Sequence, residues 1–260
     1  MSCLATLLGA SIGLLFGGPL GAIAGAAFAS LASSLGSSEP HRFGENPYLG
    51  MWNQRLRPQQ HAQMTFFVGT FSMLGKLAAV DGSVTTEERA KVEEFMDKNL
   101  HLDPETRASA VQIFEAAVHS DESFYSIANQ FFREFYSRPE FFELLIDIML
   151  QVAVADQNGM SREEETLIVD AVHIFRFSET RYQQLKSRYV RQGASAYAVL
   201  GCAPDASVDQ IKKAYRHLVN EYHPDKIAAK GLPDEFKKVA AEKFQEIQDA
   251  YGKIREERGF

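Results

Sequence analysis

Ser207 to Asp225, SVDQIKKAYRHLVNEYHPD, is the stretch whose reading decides the fold. Ser207 and Gln210 make a capping box, the hydroxyl serving an amide of the first turn and the Gln side chain serving the cap amide. Ile211, Ala214, Tyr215, Leu218, Val219 and Tyr222 then follow at i, i+3, i+4, i+7, i+8 and i+11, one apolar stripe on a helix of about four turns. The other face carries Lys212, Lys213, Arg216 and His217. Pro224 cannot continue the helix and disfavours helical geometry at His223, so the chain is expected to turn out into a loop at His223-Pro224-Asp225.

A second helix is marked by Pro233-Asp234-Glu235 at its start and by Phe236, Ala240, Phe244, Ile247, Tyr251 and Ile254 along one side. The two stripes can zip into an antiparallel hairpin. Tyr197-Ala198-Val199-Leu200-Gly201 places two large apolar residues before a helix-stopping glycine and closes the small core. This order of Tyr-x-x-Leu-Gly, basic amphipathic helix, His-Pro-Asp and second helix with Phe244, Ile247 and Tyr251 resembles the J-domain over residues 197–260. One departure is the segment from Lys226 to Pro233, unlike that family's short polar connector.

The resemblance implies contact with a DnaK-type chaperone ATPase, stimulation of its ATP hydrolysis and, indirectly, a cycle shared with its nucleotide-exchange factor. The expected chaperone-binding residues are Lys212, Lys213, Arg216, His217, Tyr222, His223, Pro224, Asp225 and Lys226. The cations would meet an acidic groove and steer a salt-sensitive encounter. Asp225 would pair with a partner cation, Pro224 would fix the loop and His223 would supply polar contacts. A hydrolytic dyad of His223 and Asp225 lacks a nucleophile, because Ser207 is committed as a cap. The protein is read as a non-enzyme with no catalytic residue, metal or cofactor.

From Gln59 to Val190 there are 12 Lys and Arg against 21 Asp and Glu, a net of −9, so this middle region is acidic. Phe67, Phe71, Leu74 and Ala78 follow a helical period that returns at Val111-Phe114-Val118, Phe141-Leu145-Met149 and Leu167-Ala171-Phe175, which predicts an all-helical bundle. Two segments, Ala79 to Glu88 and Ala155 to Glu164, each read acid, turn, apolar residue, hydroxyl and paired carboxylates, an internal duplication with one residue inserted. Thr85-x-x-Glu88 and Ser161-x-x-Glu164 are capping boxes, and the same carboxylates suit the positive helix end. The rival reading gathers Asp81, Glu87, Glu88, Asp156, Glu163 and Glu164 around a divalent cation, though the spacing is wrong for an EF-hand. The repeated segment in its helical setting resembles the TerB-like domain of tellurite resistance.

Leu4 to Leu35 holds no charged residue and is longer than the roughly 20 residues a membrane-spanning helix needs. Gly9, Gly13, Gly17, Gly21 and Gly25 recur at every fourth position and so line one face, which predicts a homodimer through that helix. Arg42, Arg55 and Arg57 follow the span and no cation precedes it, placing the N-terminus outside and the bulk in the cytoplasm. A cleaved signal peptide is disfavoured because Met1-Ser2-Cys3 lacks a positive start. Pro, Ser and Trp52 between residues 37 and 58 read as a juxtamembrane linker.

The whole chain carries a net charge of −7, which gives no reason to expect nucleic-acid binding. Cys3 and Cys202 stand at opposite ends, so no disulfide is expected. The fold is therefore read as all-α: a transmembrane anchor over 1–36, a linker over 37–58, a TerB-like bundle over 59–190, a second linker over 191–196 and a J-domain over 197–260. That order resembles a family of bacterial inner-membrane J-domain co-chaperones. It implies a single-pass protein in contact with membrane lipid, with an unidentified partner for the bundle. The rival function is a membrane-stress or divalent-metal sensor acting through the bundle, with the J-domain as its output.

Overall fold

The computed structural model describes residues 17–34, 58–82, 84–154, 159–190 and 196–260. All regular structure among them is helical: α1 (Gly18–Ser34), α2 (Pro58–Ala78), α3 (Thr86–Phe95), running on into a π-helical turn at Met96–Leu100, and α4 (Pro104–His119). There follow α5 (Phe124–Phe135), α6 (Pro139–Val154), α7 (Arg162–Ile174) and α8 (Glu179–Val190). The last four are α9 (Ala196–Leu200), α10 (Val208–Glu221), α11 (Pro224–Ala229) and α12 (Asp234–Arg258).

The middle region wraps around α2. From Met64 to Gly75 every residue of that helix is buried, which explains why α2 is apolar all round instead of striped. Two glycines let its neighbours close in. A Cβ on Gly75 would stand 2.7 Å from the Phe114 carbonyl of α4, and one on Gly69 would stand 2.5 Å from the Phe131 ring of α5. Helices α4, α5 and α6 pack on α2. Ser161 caps α7 through a complete capping box with Glu164, and Asp103 caps α4 by accepting from the Glu105 and Thr106 amides. The Glu88 side chain of the other expected box, and Asp156, lie outside the described residues.

The C-terminal hairpin has its own small core of Tyr197, Val199, Leu200, Ile211, Leu218, Tyr222, Ile247, Ala250 and Ile254. It does not stand apart. Ile227, Leu232, Phe236 and Ala240 belong to the large core of the bundle. Phe236 is fully buried, its ring centroid 4.9 Å from that of Phe66 and 6.2 Å from that of Phe71. The segment from Lys226 to Pro233, which departs from the usual connector, is thus the chain's approach to an apolar seat on the bundle.

The N-terminal apolar run meets a different setting from the one expected. Residues 1–16, with Gly9 and Gly13, lie outside the described residues, as do 35–57 with the expected linker. The described part is α1, whose Leu20, Ile23, Ala24 and Ala27 are buried in the bundle core against α4, α2 and α5. Gln130 of α5 holds its start, accepting from the Leu20 amide at 3.0 Å and donating to the Gly17 carbonyl at 3.0 Å. Gly17 and Gly18 take φ of 54° and 58°, so the backbone breaks just before α1. Of the expected glycine face, Gly17 is exposed, Gly21 is buried and Gly25 is half-buried, so Gly21 packs within the chain. No helix among the described residues is long and apolar enough to cross a membrane.

Candidate functional site

Helix α10 starts where its capping box sets it: Ser207 Oγ accepts from the Gln210 amide at 3.3 Å and Gln210 Oε1 accepts from the Ser207 amide at 2.8 Å. Ile211 and Leu218 anchor its inner face. Lys213, Arg216, His217 and Asn220 form an exposed row on the outer face. His217 Nε2 lies 3.4 Å from Glu221. Lys212 sits off this row, half-exposed, with its ammonium 5.2 Å from the centre of the Phe260 ring.

The segment expected as a loop at His223-Pro224-Asp225 is instead the head of the short helix α11. Pro224 occupies the first helical position, where its missing N–H is no loss, and His223 Nδ1 caps the turn by accepting from the Asp225 amide at 3.3 Å. The argument that Pro224 ends α10 holds, but the same proline also starts the next helix. The His223 ring meets the Phe244 ring edge-on at 5.9 Å. The Asp225 side chain is 93 % exposed and the Lys226 side chain is also outward, its ammonium meeting the Asn220 side-chain oxygen.

Tyr222 is displaced from its expected role. It is fully buried beside Glu143 of α6, and burial holds its hydroxyl neutral well above the ordinary tyrosine range. A partner on the outer face does not reach it. The other eight expected residues are exposed or half-exposed.

Sequence reasoning missed the polar seam behind this surface. On α6, Glu140, Glu143 and Asp147 are buried and each meets a cation: Lys230 at 2.9 Å, Arg181 at 2.7 Å and Lys243 at 2.7 Å. Asp147 also accepts from the Tyr189 hydroxyl at 3.0 Å and faces Arg188 at 3.9 Å. Burial acts to raise the Asp147 carboxyl, yet Lys243 and Arg188 together hold it below the usual carboxylate range. Burial likewise opposes Glu143, which Arg181 and then Lys243 hold below that range. Glu221 goes the other way, raised by burial and by the neighbouring Glu143 charge. The missed signal was three carboxylates at i, i+3 and i+7 on an otherwise apolar helix.

For the cation reading, the Glu164 carboxylate is taken by the Ser161 amide at 2.8 Å, and no group of three or more His, Cys, Asp or Glu among the described residues is arranged for a metal.

Two family descriptions match parts of the chain. The family described as tellurite resistance protein TerB matches residues 68–187, and the family described as DnaJ domain matches residues 195–258. The co-chaperone protein DjlA of Photobacterium profundum is 30% identical, with 98% of each chain covered. The protein of the same name from Coxiella burnetii is 29% identical over 99% of each chain, and that from Shewanella oneidensis is 31% identical over 84% of this chain and 88% of its own. No solved structure matches the chain.

Proposed function

The chain belongs to the family of co-chaperone protein DjlA, and on that premise we propose that it recruits a DnaK-type chaperone and stimulates its ATP hydrolysis while attached to a membrane. The observation that carries the reading is the exposed row of Lys213, Arg216 and His217 leading to an outward Asp225 at the head of α11. A cationic row of this kind steers an acidic partner and gives a salt-sensitive on-rate. His223 spans two duties, capping α11 and resting on Phe244, so it positions Asp225 for a partner cation. The hydrolysis belongs to the partner. The chain supplies binding free energy to the state that hydrolyses faster.

The test is the substitution His223→Gln in the full chain, with the steady-state ATPase rate of a purified DnaK-type chaperone as readout. The expected result is loss of stimulation with the helical circular dichroism unchanged. Full stimulation by the variant overturns the reading.

Attachment to the bacterial inner membrane, with the N-terminus outside and the C-terminal domains in the cytoplasm, is supported by the composition of the charge-free run from Leu4 to Leu35 and by Arg42, Arg55 and Arg57 after it, and a full span requires α1 to leave its groove in the bundle for the lipid. Extraction of membranes at alkaline pH tests it. The expected result is that the protein stays with the lipid pellet.

A further inference from the structure

Lys213, Arg216, His217 and Asn220 stand at i, i+3, i+4 and i+7, so the exposed row of α10 is straight and runs to Lys226 at its end. The row does not stop at the edge of the hairpin. It enters a cleft of about 540 Å³ whose near wall includes His217, Asn220 and Lys226 and whose far wall is Ser137, Pro139 and Glu140 of the bundle. Tyr136, next in the chain to that far wall, is 71% exposed, more than any other large hydrophobic residue among those described.

We propose that the bundle supplies the second half of the docking surface: a DnaK-type ATPase seated on the α10 row reaches across the cleft and packs against Tyr136 and Ser137. This rests on the reading that the hairpin docks such an ATPase.

Three observations select this occupant. A specific interface engages about 20–30 residues on each side, far more than the α10 row and the head of α11 contain. The hairpin is seated on the bundle through Phe236 and Lys243, so the interface has to extend around it, and the cleft is the adjoining surface. Next, the carboxylates of the cleft are already taken. Glu140 meets Lys230 at 2.9 Å, and Glu221, 3.4 Å from His217, is balanced by Lys226 of the same lining, which leaves Lys213 and Arg216 of the row to set the charge a partner meets. That complements the same acidic partner surface. Finally, the two walls are locked together by the buried pair Asp147–Lys243 and the half-buried pair Glu140–Lys230, so a partner meets one preformed surface with little ordering to do. An exposed tyrosine beside this cleft has the amphipathic character enriched at protein interfaces.

The experiment titrates the full chain, in detergent, against a purified DnaK-type chaperone and reads the concentration that gives half-maximal ATPase stimulation. The double variant Tyr136→Ala, Ser137→Glu, which removes the ring and sets a negative charge against the acidic partner, is expected to raise that concentration about fivefold or more. Tyr125→Ala, an exposed tyrosine about 16 Å away at the other end of α5, is expected to leave it unchanged. An unchanged value for the double variant, or an equal shift for Tyr125→Ala, overturns the proposal. His223→Gln runs in parallel: if it stimulates fully, the docking reading itself has failed, whereas its loss of stimulation leaves Tyr136 and Ser137 to decide the cleft alone.

Discussion

Asp147 is one carboxylate facing two buried cations and a tyrosine hydroxyl. Removing it leaves Lys243 without its ion-pair partner in a place where water does not reach it, and Arg188 with Glu246 alone, 3.7 Å away. Asp147→Ala is therefore expected to destabilise the protein by about 3–5 kcal/mol in urea unfolding, and Lys243→Met in the same chain to recover part of the loss. The same residues set the pH dependence. Asp147 and Glu143 have folded values below their unfolded ones, so their contribution is whole above about pH 4 and is lost as pH falls through the folded values. Glu221 is raised, so its contribution is present in acid and lost as pH rises through its folded value. Tyr189 and Tyr222 are raised as well, and the stability they hold below about pH 10 is lost in stronger base. Urea midpoints measured across pH are expected to peak in mild acid and to fall on both sides.

At the scale of an element, α12 is the unusual one, because its first turns belong to the bundle core and its last turns to the hairpin core. Phe236→Ala is expected to cost about 3–5 kcal/mol, since its ring closes against Phe66, Phe67 and Phe71. The measurement is amide exchange in α2, which is expected to speed up even though the substitution lies in α12. The helical character of α10 and α12 was legible in the sequence, as was the Ser207 cap, because periodicity and capping are local. The single helical turn after Pro224 was not, since a proline that ends one helix reads the same whether or not it opens another. Nor was the place of Lys243. It follows Phe236 by seven residues on the buried side, and a lysine there has no reason visible from its own helix, because its counter-charge comes from α6.

Over the whole molecule, the matched TerB and DnaJ regions share a core and are joined by the ion pairs Asp147–Lys243 and Glu140–Lys230. They are expected to unfold together: urea transitions followed by amide exchange in α2 and in α10 should coincide, where a tethered hairpin would melt separately. The short linker over 191–196 was enough to read a hairpin held close to the bundle, but not which residues on either side of it touch, because those contacts are distant in sequence. The apolar run at the start was read by composition alone, and α1 has the small, charge-free side chains that suit a protein groove as well as a bilayer. Helix α12, with its two allegiances, also limits transplantation. A foreign J-domain spliced after α8 would arrive without Phe236 and Lys243, leaving a hole beneath Phe66 and Asp147 unmatched by Lys243. The graft would spoil the recipient scaffold, and a failed chimera of that kind would report on the bundle and not on the merits of the inserted module.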